Sequence, residues 1–258
     1  MITHIPCGVN TLNLPPDLVD QVAALQTLLL RKAVRLGDTK PASRKDVARH
    51  EAGHAVIAVL LGVKLRCCWI KQEHGVWGGY TEPDEPASWF ILLPNAKQRV
   101  YTPIGCLARA YFGLAGPLAE RQQGRGVGPA NLAVDLPELI GVFEALWIAI
   151  VMAMFPDHQP TTDEELAMVS GVHMALMQRL ELHLQAMLQA ETARITKIAT
   201  QLQQRGHLTT HQTSALLHGI WPIDLSATFD QLRQGLPVGP LPKALPPVYL
   251  EAALEMEG

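Results

Sequence analysis

The sequence predicts a mainly α-helical domain carrying a small β-hairpin, an α+β arrangement. Three observations predict it. Apolar residues recur at helical spacing through most of the chain, between recognisable caps. Two neighbouring stretches, 63–70 and 76–81, read as strands on either side of His74-Gly75, a pair suited to a tight turn. Finally, His50-Glu51-Ala52-Gly53-His54 is an H-E-x-x-H motif inside a strongly apolar run. On a helix, residues four apart share a face, so both imidazoles can reach one ion while Glu51 can face its water.

Composition bounds the classes open to this chain. With 258 residues, 48% hydrophobic and 17% charged, it suits one large globular domain or one domain with extensions. A formal net charge of −3 gives no electrostatic case for nucleic acid or an anionic membrane. Cys7, Cys67, Cys68 and Cys106 form no C-x-x-C pair, and the vicinal pair on a strand would point to opposite faces. Neither a disulfide framework nor a cysteine zinc site is expected, and a reducing, cytoplasmic setting fits. The first residues, Met1 to Pro6, lack the pattern of a signal peptide. The apolar stretch Leu139 to Phe155 is interrupted by Glu144 and falls short of the ~20 residues a membrane span needs, so a buried core helix is expected there.

In order, residues 1–15 read as irregular, and Leu18, Val19, Val22, Leu25 and Leu28 to Leu30 predict a helix ending near Gly37. Residues 1–42 are therefore an N-terminal helical extension. Ser43-Arg44-Lys45-Asp46 resembles a capping box and starts the motif helix, with Gly62 as its stop. After the hairpin, whose Gly78 and Gly79 suggest a bulge or a close backbone approach, Glu82 to Pro86 form a loop. Helical character is expected again from about Asn95, and residues 105–123 carry Leu107, Tyr111, Leu114, Ala115 and Leu118 at helical spacing. Gly113 and Gly116 within it would permit close helix packing, and Pro117 marks a kink or boundary. A Gly-rich loop, 124–129, leads to the apolar helix 138–155. One long helix is expected from Thr162 to about Arg205, with Met168, Met174, Met177 and Met187 as core filler. His173 and His183 on it are read as surface or packing residues. Gly206 breaks this helix, and a short helix starts at Leu208-Thr209-Thr210. His207 and His211 there, four apart but without a Glu, are read as solvated. From Gly219 to Gly258 the proline content predicts an extended C-terminal tail.

The motif and its sequel resemble the peptidase domain of the FtsH-type ATP-dependent zinc metallopeptidases, over roughly residues 43–218. His50-Glu51-Ala52-Gly53-His54-Ala55 matches the family's zinc helix, and Gly78-Gly79-Tyr80-Thr81 the hairpin after it. Leu114 to Glu120 resembles the family's Gly-Gly-Arg-x-Ala-Glu helix, and Thr162 to Leu217 its closing helices. The resemblance implies a zincin-like fold and one Zn2+ held by His50, His54 and an Asp that follows a Gly-rich loop. Asn131 is followed here by Leu132 rather than Asp, so the nearest acid, Asp135, is the implied third ligand, with Glu120 as the alternative.

What the resemblance implies chemically is peptide hydrolysis, with Glu51 as the base. The strand with Gly78, Gly79, Tyr80 and Thr81 reads either as binding an extended substrate by strand addition or as an ordinary hairpin strand. The chain has no G-x-x-x-x-G-K-[ST] loop and no membrane anchor, in contrast to the family. The expectation is thus a zinc metalloendopeptidase acting on unfolded or flexible polypeptide, with a separate ATPase or unfoldase as an implied partner and a homo-oligomer as an implied state. A catalytically inactive, zinc-stabilised binding module on the same fold is the alternative, and a zinc amidase or other small-molecule hydrolase is a third reading of the motif.

Overall fold

The computed structural model describes residues 42–92, 99–124, 142–143, 146–158 and 160–243. The expected N-terminal helix, the Gly-rich loop with Asp135, and residues 244–258 lie outside them. The described chain is mostly helical with a small three-stranded antiparallel sheet, as the α+β reading expects.

Helix α1 (Arg44–Leu60) is the centre of the molecule. It starts where the sequence places it: Asp46 N–H donates to Ser43 Oγ at 3.3 Å and Ser43 N–H donates to Asp46 Oδ2 at 2.8 Å, a reciprocal capping box. It stops at Gly62, whose φ of +77° suits glycine, with Gly62 N–H bonded to Val59 O and Val63 N–H to Ala58 O. That pair of bonds is a Schellman motif. From Asp46 to Ala58 every residue of α1 is buried, because α2 (Pro103–Arg121), α4 (Thr192–Arg205) and the hairpin surround it.

Strands β1 (Lys64–Glu73) and β2 (Val76–Asp84) pair antiparallel. Their connection, His74-Gly75, has positive φ at both residues, 51° and 82°, as a two-residue hairpin turn requires. A bulge at Arg66 shifts the register between Leu65 and Cys67. It leaves Cys68 fully buried and Cys67 half-buried, on opposite faces. A third strand, β5 (His207–Thr209), pairs with the other edge of β1, where the sequence places the start of a helix; α5 (Thr210–Leu216) begins only after it. The sheet order is therefore β2-β1-β5, and β2 is an edge.

Three further elements differ from the sequence reading. Instead of helix from Asn95, β4 (Arg99–Tyr101) pairs with β3 (Phe90–Leu92), and Thr102 caps α2 only then. The expected single helix from Thr162 is two: α3 (Asp163–Ala190) and α4, separated at Glu191 with φ −96° and ψ 11°. No Gly or Pro announces this break; it turns α4 onto α1, and the Thr192 hydroxyl bonds Gln189 O at 2.8 Å across the corner. In the Pro-rich stretch, α6 (Leu225–Leu232) forms, and Phe229, Leu232 and Val238 enter the core, so residues 219–243 are packed on the domain. Helix α2 runs through Pro117 without ending.

The core also holds Val142, Phe143 and Leu146 to Val151, from the apolar helix expected at 138–155. Among the described residues no helix is long and apolar enough to cross a membrane. Met177 and Met187 pack against the core, whereas Met168 and Met174 are exposed on α3. His207 and His211 are exposed, His183 is half-buried with Nδ1 2.7 Å from the Tyr111 hydroxyl, and His173 is buried.

Candidate metal centre

Helix periodicity brings His50 and His54 to one face of α1, and close packing with α2 closes that face. The approach is set by small residues. A Cβ on Gly53 would lie 2.6 Å from Ala119 Cβ and 2.8 Å from Ala115 O, so a larger residue there would push α2 away. Gly116 of α2 lies directly against the imidazole pair.

Both rings are buried, and each is held by its Nδ1. His50 Nδ1 lies 2.6 Å from Glu120 Oε1, and His54 Nδ1 lies 2.8 Å from the Phe112 carbonyl oxygen. A carbonyl and a carboxylate can only accept, so these partners assign the proton of each ring to Nδ1. Both Nε2 atoms then carry lone pairs, and they face each other at 3.0 Å. Two lone pairs at that distance require a cation between or beside them, either a proton shared by the rings or a metal ion. Tetrahedral zinc with nitrogen ligands at about 2.0–2.1 Å sets its ligands roughly 3.3 Å apart, close to the separation found. The space for an ion is also present. A Cβ on Gly116 would sit 2.4 Å from both Nε2 atoms, so the absent side chain leaves a cradle facing the pair. The donor set, its orientation and this cradle fit zinc.

Glu120 stands on the ring nitrogen that faces away from the pair. Its carboxylate is only 2% exposed, and it has the placement of a group that orients a ligand and raises its basicity rather than that of a ligand. Among the described residues no group of three His, Cys, Asp or Glu is arranged to hold a metal. The implied third ligand, Asp135, lies outside the described residues.

Glu51 is buried at 4% and lies beneath β2. A Cβ on Gly79 would meet its Cγ at 2.5 Å and Oε1 at 2.6 Å, so the strand can cross this carboxylate only with glycine there. Gly78 has open space instead, and Tyr80, 47% exposed, faces outward. Thr81 faces inward: it is buried, and its hydroxyl lies 2.7 Å from Glu51 Oε2. Of the four strand residues expected to meet substrate, the structure thus places Gly79 and Thr81 against the glutamate. The role of Thr81 was open to no sequence signal beyond its alternation with Tyr80 along the strand.

Neighbouring charges tie this region down. Arg49, buried and with its pKa lowered by that burial, donates from Nε to Ala119 O at 2.9 Å, joining α1 to α2. Arg109 of α2 pairs with Glu85 at 3.0 Å, and both side chains are buried. Its guanidinium also lies 5.0 Å from the Phe112 ring, beside the carbonyl that holds His54.

No protein-family model matches this chain, and no curated protein matches it.

Proposed function

We propose that this chain is a zinc metalloendopeptidase that hydrolyses peptide bonds in unfolded or flexible segments, as its resemblance to the FtsH-type peptidase domain implies. The observation that carries this reading is the pair of Nε2 lone pairs converging at 3.0 Å, each ring fixed from behind, with Glu51 one residue away on the same helix.

His50 and His54 would hold the ion, with Asp135 as the third ligand. A zinc ion so held supplies a Lewis acid that polarises the scissile carbonyl and brings the pKa of water towards ~7. Glu51 accepts the proton of the attacking water and delivers it to the leaving amine, so that an O–C bond forms and the C–N bond breaks. The surrounding burial keeps bulk water from the carboxylate and the imidazoles. An extended segment would add to the outer edge of β2, which has no strand partner among the described residues, and run past Gly78 and Gly79 beside Tyr80. Strand addition needs an extended substrate, which favours unfolded chains or a separate unfoldase that delivers them.

The test is cleavage of casein, an unstructured protein, by wild type and Glu51→Gln, with zinc content measured on both. Cleavage by wild type alone, with zinc retained in both, is the expected result. Zinc in both and cleavage in neither assigns the chain to the alternative class, a zinc-stabilised binding module.

A further inference from the structure

Glu51 is held from the sheet as well as from its own helix. The Thr81 hydroxyl has a single proton and two acceptors in reach, Glu51 Oε2 at 2.7 Å and Glu51 O at 3.1 Å. The shorter contact is to a charged oxygen and takes the proton. The hydroxyl oxygen then has lone pairs to spare, and Cys68 Sγ lies 3.1 Å from it. Cys68 is fully buried on β1, directly opposite Thr81 in the hairpin register. Burial and the Glu51 carboxylate both raise the pKa of its thiol, so it keeps its proton and donates. The result is a directed chain, thiol to hydroxyl to carboxylate, crossing from β1 through β2 to α1.

We propose that Thr81 is a positioning residue for Glu51: its hydroxyl, itself oriented by the Cys68 thiol, fixes Oε2 and with it the orientation of the carboxylate that acts as base. The proposal rests on the peptidase reading above. It moves Thr81 from the substrate to the base. The geometry supports this in a second way. Gly79 lets the strand lie directly on the carboxylate, where a Cβ would meet Glu51 Oε1 at 2.6 Å, so β2 confines Glu51 by packing as well as by the Thr81 hydrogen bond. The Thr81 hydroxyl is the group within bonding distance of its Oε2 that comes from the rigid, paired part of the hairpin.

Two substitutions separate the hydroxyl from the packing. Thr81→Val keeps the shape and removes the donor, whereas Thr81→Ser keeps the donor and removes a methyl group. On a short unstructured peptide, Thr81→Val is expected to lower kcat on the order of 10–100-fold with KM changed less than about twofold and zinc content unchanged. Thr81→Ser is expected to recover most of the loss. A second readout needs neither zinc nor turnover. In the metal-free protein, Thr81→Val lowers the urea midpoint more in the wild-type background than in Glu51→Leu, where the hydroxyl keeps only the backbone carbonyl of residue 51 as acceptor.

Equal midpoint shifts in the two backgrounds overturn the proposal. So does a Thr81→Val enzyme with wild-type kcat, or a Thr81→Ser enzyme as impaired as Thr81→Val. A zinc-loaded wild type that cleaves nothing overturns the peptidase reading, and the positioning role falls with it. An active wild type indifferent to Thr81→Val removes the positioning role alone.

Discussion

Single atoms decide whether the two imidazoles can share an ion. Gly116 is the sharpest case, because a methyl group at that position would occupy the space 2.4 Å from both Nε2 atoms. Gly116→Ala should improve helix propensity by about 1 kcal/mol and yet abolish or greatly weaken zinc binding. A competitive chelator titration beside a circular-dichroism melt checks this; a variant that binds zinc as tightly as wild type would contradict it. Glu120→Gln should be milder. It keeps a hydrogen-bond acceptor for His50 Nδ1 but removes the charge, and zinc affinity should fall about 10–100-fold in the same titration. Removing a proposed ligand outright, as in His54→Ala, should remove binding altogether.

Among the elements, α1 and α2 form the scaffold of the site, and their closeness is the quantity to perturb. The Gly53 contact involves the Ala115 carbonyl, which is backbone and cannot swing aside. Gly53→Ala should therefore destabilise by roughly 1–3 kcal/mol despite its better helix propensity, as overpacking does. A urea titration measures it, and an unchanged or higher midpoint would count against this packing. The elements also show what the sequence could and could not reveal. Helix α1, its capping box, its glycine stop and the His74-Gly75 turn are written in local residue chemistry, so each was legible. The same holds for His50, Glu51 and His54, whose spacing alone puts them on one helix. The break at Glu191 and the strand β5 are set by long-range contacts. The first is where α4 swings onto α1, and the second exists only because β1 offers an open edge. The break at Glu191 leaves no glycine or proline to read, and β5, which follows Gly206, leaves no long alternation. The role proposed for Thr81 is hidden from the sequence for a related reason: alternation says that Tyr80 and Thr81 face opposite ways, but not which face carries the base.

For the molecule as a whole, His173 links stability to pH. It is 1% exposed on α3, and neither ring nitrogen makes a hydrogen bond of normal geometry among the described residues. Burial pushes its pKa down to about 4, and the Phe143 backbone offsets only part of that. The folded pKa lies below the unfolded value, so the unfolded chain takes up the proton first. Stability is therefore full above pH 6.5 and is lost as pH falls from 6.5 towards about 4. The slope from this one group approaches ~1 kcal/mol per pH unit. Urea midpoints between pH 7.5 and 4.5 should decline accordingly, and His173→Leu should flatten the decline over that range. An equal slope in the variant would assign the acid sensitivity to other groups.

The proposed function depends above all on His50 and His54 holding zinc through their Nε2 atoms. X-ray absorption at the zinc edge of the purified, zinc-loaded protein tests it most directly. The expected spectrum is that of a four-coordinate ion with two imidazole nitrogens and oxygen ligands at about 2.0–2.2 Å and no sulfur. A sulfur shell near 2.3 Å, or a protein that retains no zinc, would contradict it.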